Sequence, residues 1–263
     1  PATDHFSNET SKKKFSLEVL SKDKAPRYMG VNINNLTIKP SPSWLQNRLK
    51  ALGIVPKNNV VDITNYVLHD LGQPLHAFDL DKINGGIIVK TVAQDTPFIT
   101  LDGVERKLDA DDLMICDHQK PLCIAGVLGG QDSGVTEKTS SIFLESAYFD
   151  PVSIRKSAKR HGLNTDASFR FERGIDPEIT LYALKHAAKL ITELAGGTIE
   201  GDLYEIKQEL PEEPKFMLSF DQINKTTGQK ISKDDVSNIL TGLEIKIEHS
   251  NEEGMLIEIP PYR

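Results

Sequence analysis

The feature that most constrains this chain is a change of hydrophobic periodicity along its length. Between residues 41 and 72 the apolar residues recur at helical spacing, whereas between residues 86 and 145 they fall into short runs separated by turn residues. The runs occupy positions 87–89, 98–101, 113–115, 122–125 and 142–144. Asp102 and Gly103 form a hairpin signal after the second run. This pattern predicts an α+β fold built on a sandwich or barrel-like sheet, with helices around it.

Four segments outside the β-like region 86–145 carry helix signals. Pro42 suits a first helical position, and Ser41 before it is suited to cap the helix. A second amphipathic helix is predicted over 59–71, where apolar residues line one face and a glycine follows. Two more helices are predicted over 150–161 and 177–195, each beginning at an Asp-Pro pair.

The chain divides by composition into three parts. Residues 1–25 are polar and lysine-rich and indicate a connecting segment. Residues 26–210 carry the sheet and helix signals above and are predicted to form one domain. Residues 211–263 begin with a Pro-Glu-Glu-Pro linker and continue with two short helices and a hairpin, a winged-helix-like pattern.

Composition narrows the class of protein. The 263 residues carry a formal net charge of −7, which excludes a wholly basic nucleic-acid-binding surface but leaves room for a local basic island. Only two cysteines are present, Cys116 and Cys123, as expected in a reducing cytoplasm. No apolar run approaches the roughly 18 residues of a membrane span. The first residue, Pro1, and the abrupt end of the chain predict a piece of a longer protein.

A local basic island is present on and after the third predicted helix. Its members are Arg155, Lys156, Lys159, Arg160 and Arg170. Few acidic residues lie nearby in the sequence, so these side chains are suited to neutralise RNA phosphates. The alternative is a solvated helix face without a partner.

Four residues carry side chains suited to a site, each with a plainer alternative. His76 follows the second helix in a loop flanked by apolar residues, where an imidazole can orient a substrate or only bond the backbone. Thr64 and Asn65, on the polar face of that helix, suit either a polar pocket or a solvated surface. Glu145 ends an apolar strand, where a carboxylate can accept a hydrogen bond from a ligand hydroxyl or face water.

Two further segments bear on cofactors. The glycine-rich segment 125–134 lacks the spacing of a P-loop or of a dinucleotide fingerprint, so ATP and NAD are poorly supported. Its glycines could admit a ligand against the backbone or serve only a turn and a bulge. Cys116, His118 and Cys123 lie close in sequence, but the short Cys-x-x-Cys pairs of zinc sites are absent, and no metal is predicted.

Taken in order, several segments resemble one family, the B3/B4 region of bacterial phenylalanyl-tRNA synthetase β chains. The segments are DITNYV at 62–67, LGQPLHAFD at 71–79, 126–130, 144–147, RHGLNTDAS at 160–168 and RFERGIDP at 170–177. The tail from about residue 213 resembles most of the B5 module that follows. The resemblance covers about residues 26–263. Phe169 departs from the family pattern, in which a histidine is common.

The resemblance implies an unusual β-sandwich with packed helices, and a site that hydrolyses tyrosine wrongly attached to phenylalanine tRNA. The pocket residues it implies are Thr64, Asn65, His76, the backbone of Gly129 and Gly130, Glu145, Thr165 and Ala167. Glu145 would bind the tyrosine hydroxyl together with glycine backbone, and His76 would hold the ester or its water. Thr165 and Ala167 would form the pocket wall.

Neither a Ser-His-Asp nor a Cys-His nucleophile is evident in the sequence, so a positioned water is expected to attack the ester. The alternative function is a binding or scaffolding module that grips tRNA without hydrolysis. The resemblance also implies ATP and Mg²⁺ for the whole enzyme, and an α₂β₂ assembly with an α subunit. None of these residues shows an ATP or metal site of its own.

Overall fold

The computed structural model describes residues 15–209 and 214–262. The chain forms two compact units, Pro1–Glu209 and Leu210–Arg263. The α+β architecture predicted from the sequence is confirmed. Residues 1–14, the first part of the predicted connecting segment, and residues 211–213 of the predicted linker lie outside the described residues. In the part of the chain that the structure describes, none of the helices has the length and apolar character needed to cross a bilayer.

The first unit contains eleven strands and five α-helices among its described residues. The strands are β1 (Ser16–Val19), β2 (Arg27–Asn34), β3 (Leu75–Asp79), β4 (Gly86–Thr91), β5 (Pro97–Ile99), β6 (Glu105–Lys107), β7 (Leu113–Cys116), β8 (Pro121–Ile124), β9 (Leu128–Gly129), β10 (Ile142–Tyr148) and β11 (Thr198–Lys207). The helices are α1 (Ser43–Ala51), α2 (Asn59–Leu71), α3 (Pro151–Arg160), α4 (Asp166–Phe171) and α5 (Ile179–Ala195). A 3₁₀ turn, Leu80–Lys82, follows β3.

Two main sheets organise this unit. One has the strand order β1-β4-β7-β8-β9, and the other has the order β11-β2-β10-β3. β5 and β6 pair separately as a short hairpin. β1 runs parallel to β4, and the other pairs are antiparallel. Part of the segment predicted as a connection, at 16–19, is therefore a strand of the first sheet.

The four-stranded sheet is apolar on both faces. Its residues Tyr28 and Phe143 share one core with residues of the five-stranded sheet such as Ile115. Met29 and Leu144, the next residue along each strand, instead join a second core with α1, α2 and α5. Since successive side chains of a strand point to opposite faces, this sheet packs on the other sheet with one face and on helices with the other.

Local chemistry explains most of the helix boundaries. α2 is capped by Asn58, whose side chain accepts hydrogen bonds from the amides of Val60 and Val61, and it ends at Gly72 in the left-handed conformation. α3 follows Asp150, which caps it as predicted. The predicted cap of α1 is wrong, because the Ser41 hydroxyl instead donates to Asp62 at 2.6 Å.

The fourth predicted helix begins later than expected, and a short helix before it was not predicted. α5 begins at Ile179 rather than at residue 177, and no side chain caps it. α4 is a six-residue helix capped by Thr165, whose hydroxyl accepts from the Ser168 amide while the Ser168 side chain bonds the Thr165 amide. Periodicity gives little signal in so short a helix.

The second unit is small and has its own core. It consists of β12 (Lys215–Ser219), α6 (Phe220–Thr227), α7 (Lys233–Gly242), β13 (Lys246–Ser250) and β14 (Gly254–Glu258). The strand order is β12-β14-β13. Val236 and Leu240 of α7 pack on Met255 and Ile257 of β14. The two helices and the hairpin match the prediction, and β12 adds a third strand to the hairpin.

Candidate functional site

A cavity of about 230 Å³ lies in the first unit. Its wall is formed by α2, β3, the β8–β9 turn, β10 and the start of α4. Six of the residues predicted for the site line it: Asn65, His76, Gly129, Glu145, Thr165 and Ala167. The cavity is smaller than the roughly 300–1,000 Å³ clefts that hold drug-sized ligands, so it suits one side chain better than a nucleotide.

Glu145 and His76 are brought together by strand register. β10 and β3 are antiparallel neighbours, and these two residues are direct partners in the pairing. Directly opposite residues share a face of the sheet and carry Cβ atoms about 4.5–5.5 Å apart. The sequence predicted other positions for these two residues, with Glu145 at the end of a strand and His76 in a loop. The structure places Glu145 in the middle of β10 and His76 within β3.

The Glu145 carboxylate is almost fully enclosed. The residue is 6% exposed, and its Oε2 accepts a hydrogen bond from the Tyr28 hydroxyl at 2.6 Å. Burial raises the pKa of this carboxyl to about 7, although the bond from Tyr28 favours the charged form. Near pH 7 the group therefore lies between its protonated and charged forms, and the charged form is left with room for a second hydrogen-bond donor.

The His76 imidazole is neutral and incompletely satisfied. Its Nε2 is shielded from solvent and has no hydrogen-bond partner among the described residues. Burial lowers the pKa of His76 to about 4. The ring packs edge-on against Phe78, with ring centroids 4.4 Å apart. A buried polar atom without a partner is costly, so this nitrogen is a natural contact for a ligand or a water.

Gly129 allows the imidazole to approach the backbone. A Cβ atom added at Gly129 would lie 3.0 Å from Cε1 and 3.5 Å from Nε2 of His76. A side chain here would therefore press on the ring. In this glycine-rich segment, the absence of a side chain at Gly129 thus leaves the space that the His76 ring occupies.

The outer wall of the cavity depends on Thr165. Its hydroxyl donates to the carbonyl oxygen of Val127 at 2.8 Å and also caps α4. This bond ties the start of α4, including Asp166 and Ala167, to the turn between β8 and β9. Thr165 therefore holds the wall in place, while its hydroxyl is already engaged.

Two residues predicted for the site do not line the cavity. Thr64 is buried in α2, and its hydroxyl donates to the carbonyl oxygen of Val61 at 2.8 Å within the same helix. Gly130 lies past the cavity edge, where its amide donates to the carbonyl oxygen of Leu122 at 2.8 Å and the residue forms a bridge with Thr100. The backbone of Gly130 is thus engaged by the protein itself.

Several residues of the site escaped sequence reasoning. Tyr28 bonds Glu145 from the neighbouring strand, and Leu101, Cys123 and Asp166 line the cavity. Leu101 belongs to the turn of the β5–β6 hairpin, so only tertiary structure places it here. Tyr28 has one sequence signal, its place in an alternating apolar run that predicts a strand, but its partner is 117 residues away.

Only some side chains of the predicted basic island are free of ion pairs with the described residues. Arg155, Lys156 and Lys159 are exposed on α3 and form no ion pair among the described residues. Arg160 instead pairs with Asp112, and Arg170 is bonded to Asp166 and His69. The expectation of few acidic neighbours is therefore wrong for both residues, because the fold brings Asp112 to Arg160 and Asp166 lies four residues before Arg170 on the same helix.

The residues considered for a metal site have other roles. Cys116 and Cys123 are free and buried, and burial raises the pKa of both thiols. His118 instead bonds the Ser16 hydroxyl through Nε2 at 3.0 Å. Within residues 15–209 and 214–262, no group of three or more His, Cys, Asp or Glu side chains is arranged to hold a metal ion.

Comparison with known proteins identifies the class to which this fold and cavity belong. Residues 24–196 match the family model of the B3/4 domain, and residues 216–263 match that of the tRNA synthetase B5 domain. The chain belongs to the B3/4 domain family and carries a B5 domain after it.

Its relatives specify the kind of protein further, and the predicted resemblance to bacterial phenylalanyl-tRNA synthetase β chains is confirmed. The chain is 50% identical over 264 residues to the phenylalanine–tRNA ligase beta subunit of Bacteroides fragilis strain YCH46, covering 100% of this chain and 32% of that protein. The corresponding subunit of Porphyromonas gingivalis strain W83 is 53% identical over 255 residues, covering 95% and 31%. This chain therefore spans about a third of the length of these relatives.

One solved structure supports the fold alone. It is described as an N-terminal fragment of the phenylalanyl-tRNA synthetase beta-subunit from Pyrococcus horikoshii. The match has a TM-score of 0.51 at 15% sequence identity and covers 98% of this chain and 72% of that one.

Proposed function

We propose that the cavity hydrolyses tyrosine wrongly esterified to phenylalanine tRNA, a proofreading step after aminoacylation. One observation carries the proposal: an enclosed carboxylate, Glu145, and a neutral imidazole, His76, face the same small cavity from adjacent strands. The relatives named phenylalanine–tRNA ligase beta subunit supply the substrate class.

The carboxylate supports a preference for tyrosine over phenylalanine. An apolar pocket rejects an analogue with one extra hydroxyl by only about 10²-fold. A site built to bond a hydroxyl rejects the analogue that lacks it by about 10⁴–10⁵-fold, because its polar group is left unpaired. With one oxygen of Glu145 held by Tyr28, the other is the expected acceptor for the substrate phenol. Tyrosyl esters would enter, and phenylalanyl esters would be spared.

The remaining groups support attack by a positioned water. The Cys123 thiol has a raised pKa and so little thiolate character, and the Thr165 hydroxyl is engaged by Val127. His76 Nε2, buried and without a partner, is the expected group to hold the water or the ester. The ribose hydroxyl of the tRNA is a second candidate to assist, since it would be held beside the ester.

For the whole protein we propose the role of the relatives. It would act in the cytoplasm as the β subunit of a phenylalanine–tRNA ligase, with an α subunit in an α₂β₂ assembly that uses ATP and Mg²⁺. Phenylalanine tRNA would be its RNA partner. The domain boundaries proposed for this chain are 26–210 for the editing domain and 211–263 for the B5-like module. Arg155, Lys156 and Lys159 are the cations proposed to meet the RNA.

The test is deacylation of tyrosyl-tRNA and phenylalanyl-tRNA by the wild-type chain, by Glu145→Ala and by Glu137→Ala. Glu137 is an exposed glutamate outside the cavity, so its variant is the matched control. The wild type and the control are expected to release tyrosine and spare phenylalanine, and Glu145→Ala is expected to lose this preference. Equal rates for the two esters in the wild type would refute the proposal.

The second candidate function is tRNA binding or scaffolding without hydrolysis. The exposed cations of α3 favour it, since they serve RNA contact in either case. The same experiment separates the two functions. RNA binding that weakens steeply with salt, together with no ester hydrolysis and no tyrosine binding, would favour the scaffold.

A further inference from the structure

The hydrogen bond between Tyr28 and Glu145 lies behind the cavity rather than within it. Glu145 lines the cavity and Tyr28 does not, and Tyr28 is fully buried. The phenol therefore reaches the carboxylate from the side of the sandwich core, at 2.6 Å. At this length the bond is of the strong kind formed when an ionised group takes part.

We propose that Tyr28 is a positioning residue for selectivity, whose hydroxyl fixes the Glu145 carboxylate with one oxygen and leaves the other to a substrate phenol. The inference rests on the proposed function. It adds the Tyr28 phenol, which orients the Glu145 carboxylate before the substrate phenol binds.

Strand register places Tyr28 within reach of Glu145. On β2, Gly30 is the direct partner of Glu145, and Tyr28 is the partner of Ala147. Tyr28 is thus a diagonal neighbour of Glu145 on the same face, within reach of a long side chain. The space where Gly30 lacks a side chain is filled by Phe143, since an added Cβ would lie 2.1 Å from its ring. Phe143 cannot donate a hydrogen bond, and Tyr28 is the residue of β2 whose side chain bonds Glu145.

Among the side chains around Glu145, Tyr28 is the one whose hydrogen bond stabilises the charged carboxylate. The facing titratable groups are Tyr28 from β2, His76 from β3, Cys123 from β8 and Asp166 at the start of α4. His76 is neutral at pH 7 because burial lowers its pKa to about 4, and neither Lys nor Arg lines the cavity. Cys123 and Asp166 add no positive charge. Loss of the phenol would therefore shift the carboxyl towards its protonated form.

The experiment measures binding of free L-tyrosine and L-phenylalanine to this chain by calorimetry from pH 6 to pH 9. In Tyr28→Phe, tyrosine affinity at pH 7 is expected to fall about tenfold or more, and phenylalanine affinity is expected to stay unchanged. The pH midpoint of the tyrosine preference is expected to rise by about one to two units, the effect of one hydrogen bond to a charged group. Tyrosine affinity should then recover as the pH rises.

The matched control is Tyr148→Phe. Tyr148 is a half-buried phenol on the same strand as Glu145 but on the opposite face of the sheet. This variant is expected to retain both the tyrosine preference and its midpoint. A purely structural role of Tyr28 would instead lower the affinity for both amino acids at every pH, and that result would overturn the inference.

Failure of the inference and failure of the proposed function are separable. A wild type without tyrosine preference refutes the function. A wild type that prefers tyrosine, with an unchanged preference and midpoint in Tyr28→Phe, overturns only the role of Tyr28. If Tyr28→Phe does not fold, global incorporation of 3-fluorotyrosine provides the test, since it keeps the ring and makes the phenol a stronger donor. The midpoint is then expected to fall, and an unchanged midpoint would count against Tyr28.

Discussion

His76 and Glu145 face each other across β3 and β10 with their usual order of titration reversed. Burial lowers the pKa of the imidazole to about 4 and raises the pKa of the carboxyl to about 7. Between these values both groups are neutral, and above pH 7 only the carboxylate carries charge. The cavity thus avoids enclosing an ion pair, and its hydrogen-bonding character changes at the carboxyl, near neutral pH.

This reversal predicts a pH dependence of selectivity. The ratio of tyrosine to phenylalanine affinity should rise about tenfold between pH 6 and pH 8, as Glu145 with a pKa of about 7 loses its proton and becomes a pure acceptor. Calorimetric titration of the chain with each amino acid would measure the ratio, which cancels the ionisation of groups common to both ligands. Glu145→Gln should give a flat ratio, and a flat ratio in the wild type would contradict the assigned role of Glu145.

His76 predicts a loss of stability in acid. Its pKa is about 4 in the fold and about 6.5 in an unfolded chain, so the folded state disfavours the protonated ring. The stability this provides is complete above about pH 6.5 and is lost as the pH falls towards 4, by up to about 3 kcal/mol. Urea unfolding at pH 4.5 and pH 7 should show a smaller difference for His76→Gln than for the wild type. His249→Gln, at an exposed position of the second unit, should behave like the wild type.

The space at Gly129 predicts a steric effect on the imidazole. Gly129→Ala places a methyl group 3.0 Å from Cε1 of His76, so the ring must shift by a few tenths of an ångström from its place in the cavity wall. Ester hydrolysis is expected to fall by about tenfold or more, since displacement of a positioning group by a fraction of an ångström is costly. The control is Gly134→Ala, where the nearest atom lies 3.9 Å away. Equal activity of the two variants would argue that His76 does not act on the ester.

The fold could be predicted from the sequence in segments where a single hydrophobic periodicity dominates. The site could be predicted only for residues that the order of strands and helices brings to the cavity. The short apolar runs predicted the sandwich, and Asp150 predicted the start of α3. Thr64 was assigned to the wrong environment, because α2 contacts both β3 and α5 and so buries more of its surface than a one-sided helix would. The bond from Tyr28 to Glu145 joins residues far apart in the chain, and no local pattern encodes such a contact.

The basic residues fall into two groups, because only the structure shows which of them pair with carboxylates. The two groups have different predicted effects. Replacing Arg155, Lys156 and Lys159 with alanine should weaken tRNA binding without unfolding the chain, because these side chains are exposed. Each lost phosphate contact should lower the slope of log affinity against log salt by about 0.7–0.9.

Arg160→Ala should act on stability instead, since Arg160 shares the buried Asp112 carboxylate with Ser157 and His161. Removing one partner of a buried carboxylate costs about 1–3 kcal/mol, which urea unfolding can resolve. Filter binding over a range of salt concentrations, run beside that unfolding series, measures both effects. If the triple variant keeps the wild-type salt slope, α3 is a solvated face and the RNA lies elsewhere on the molecule.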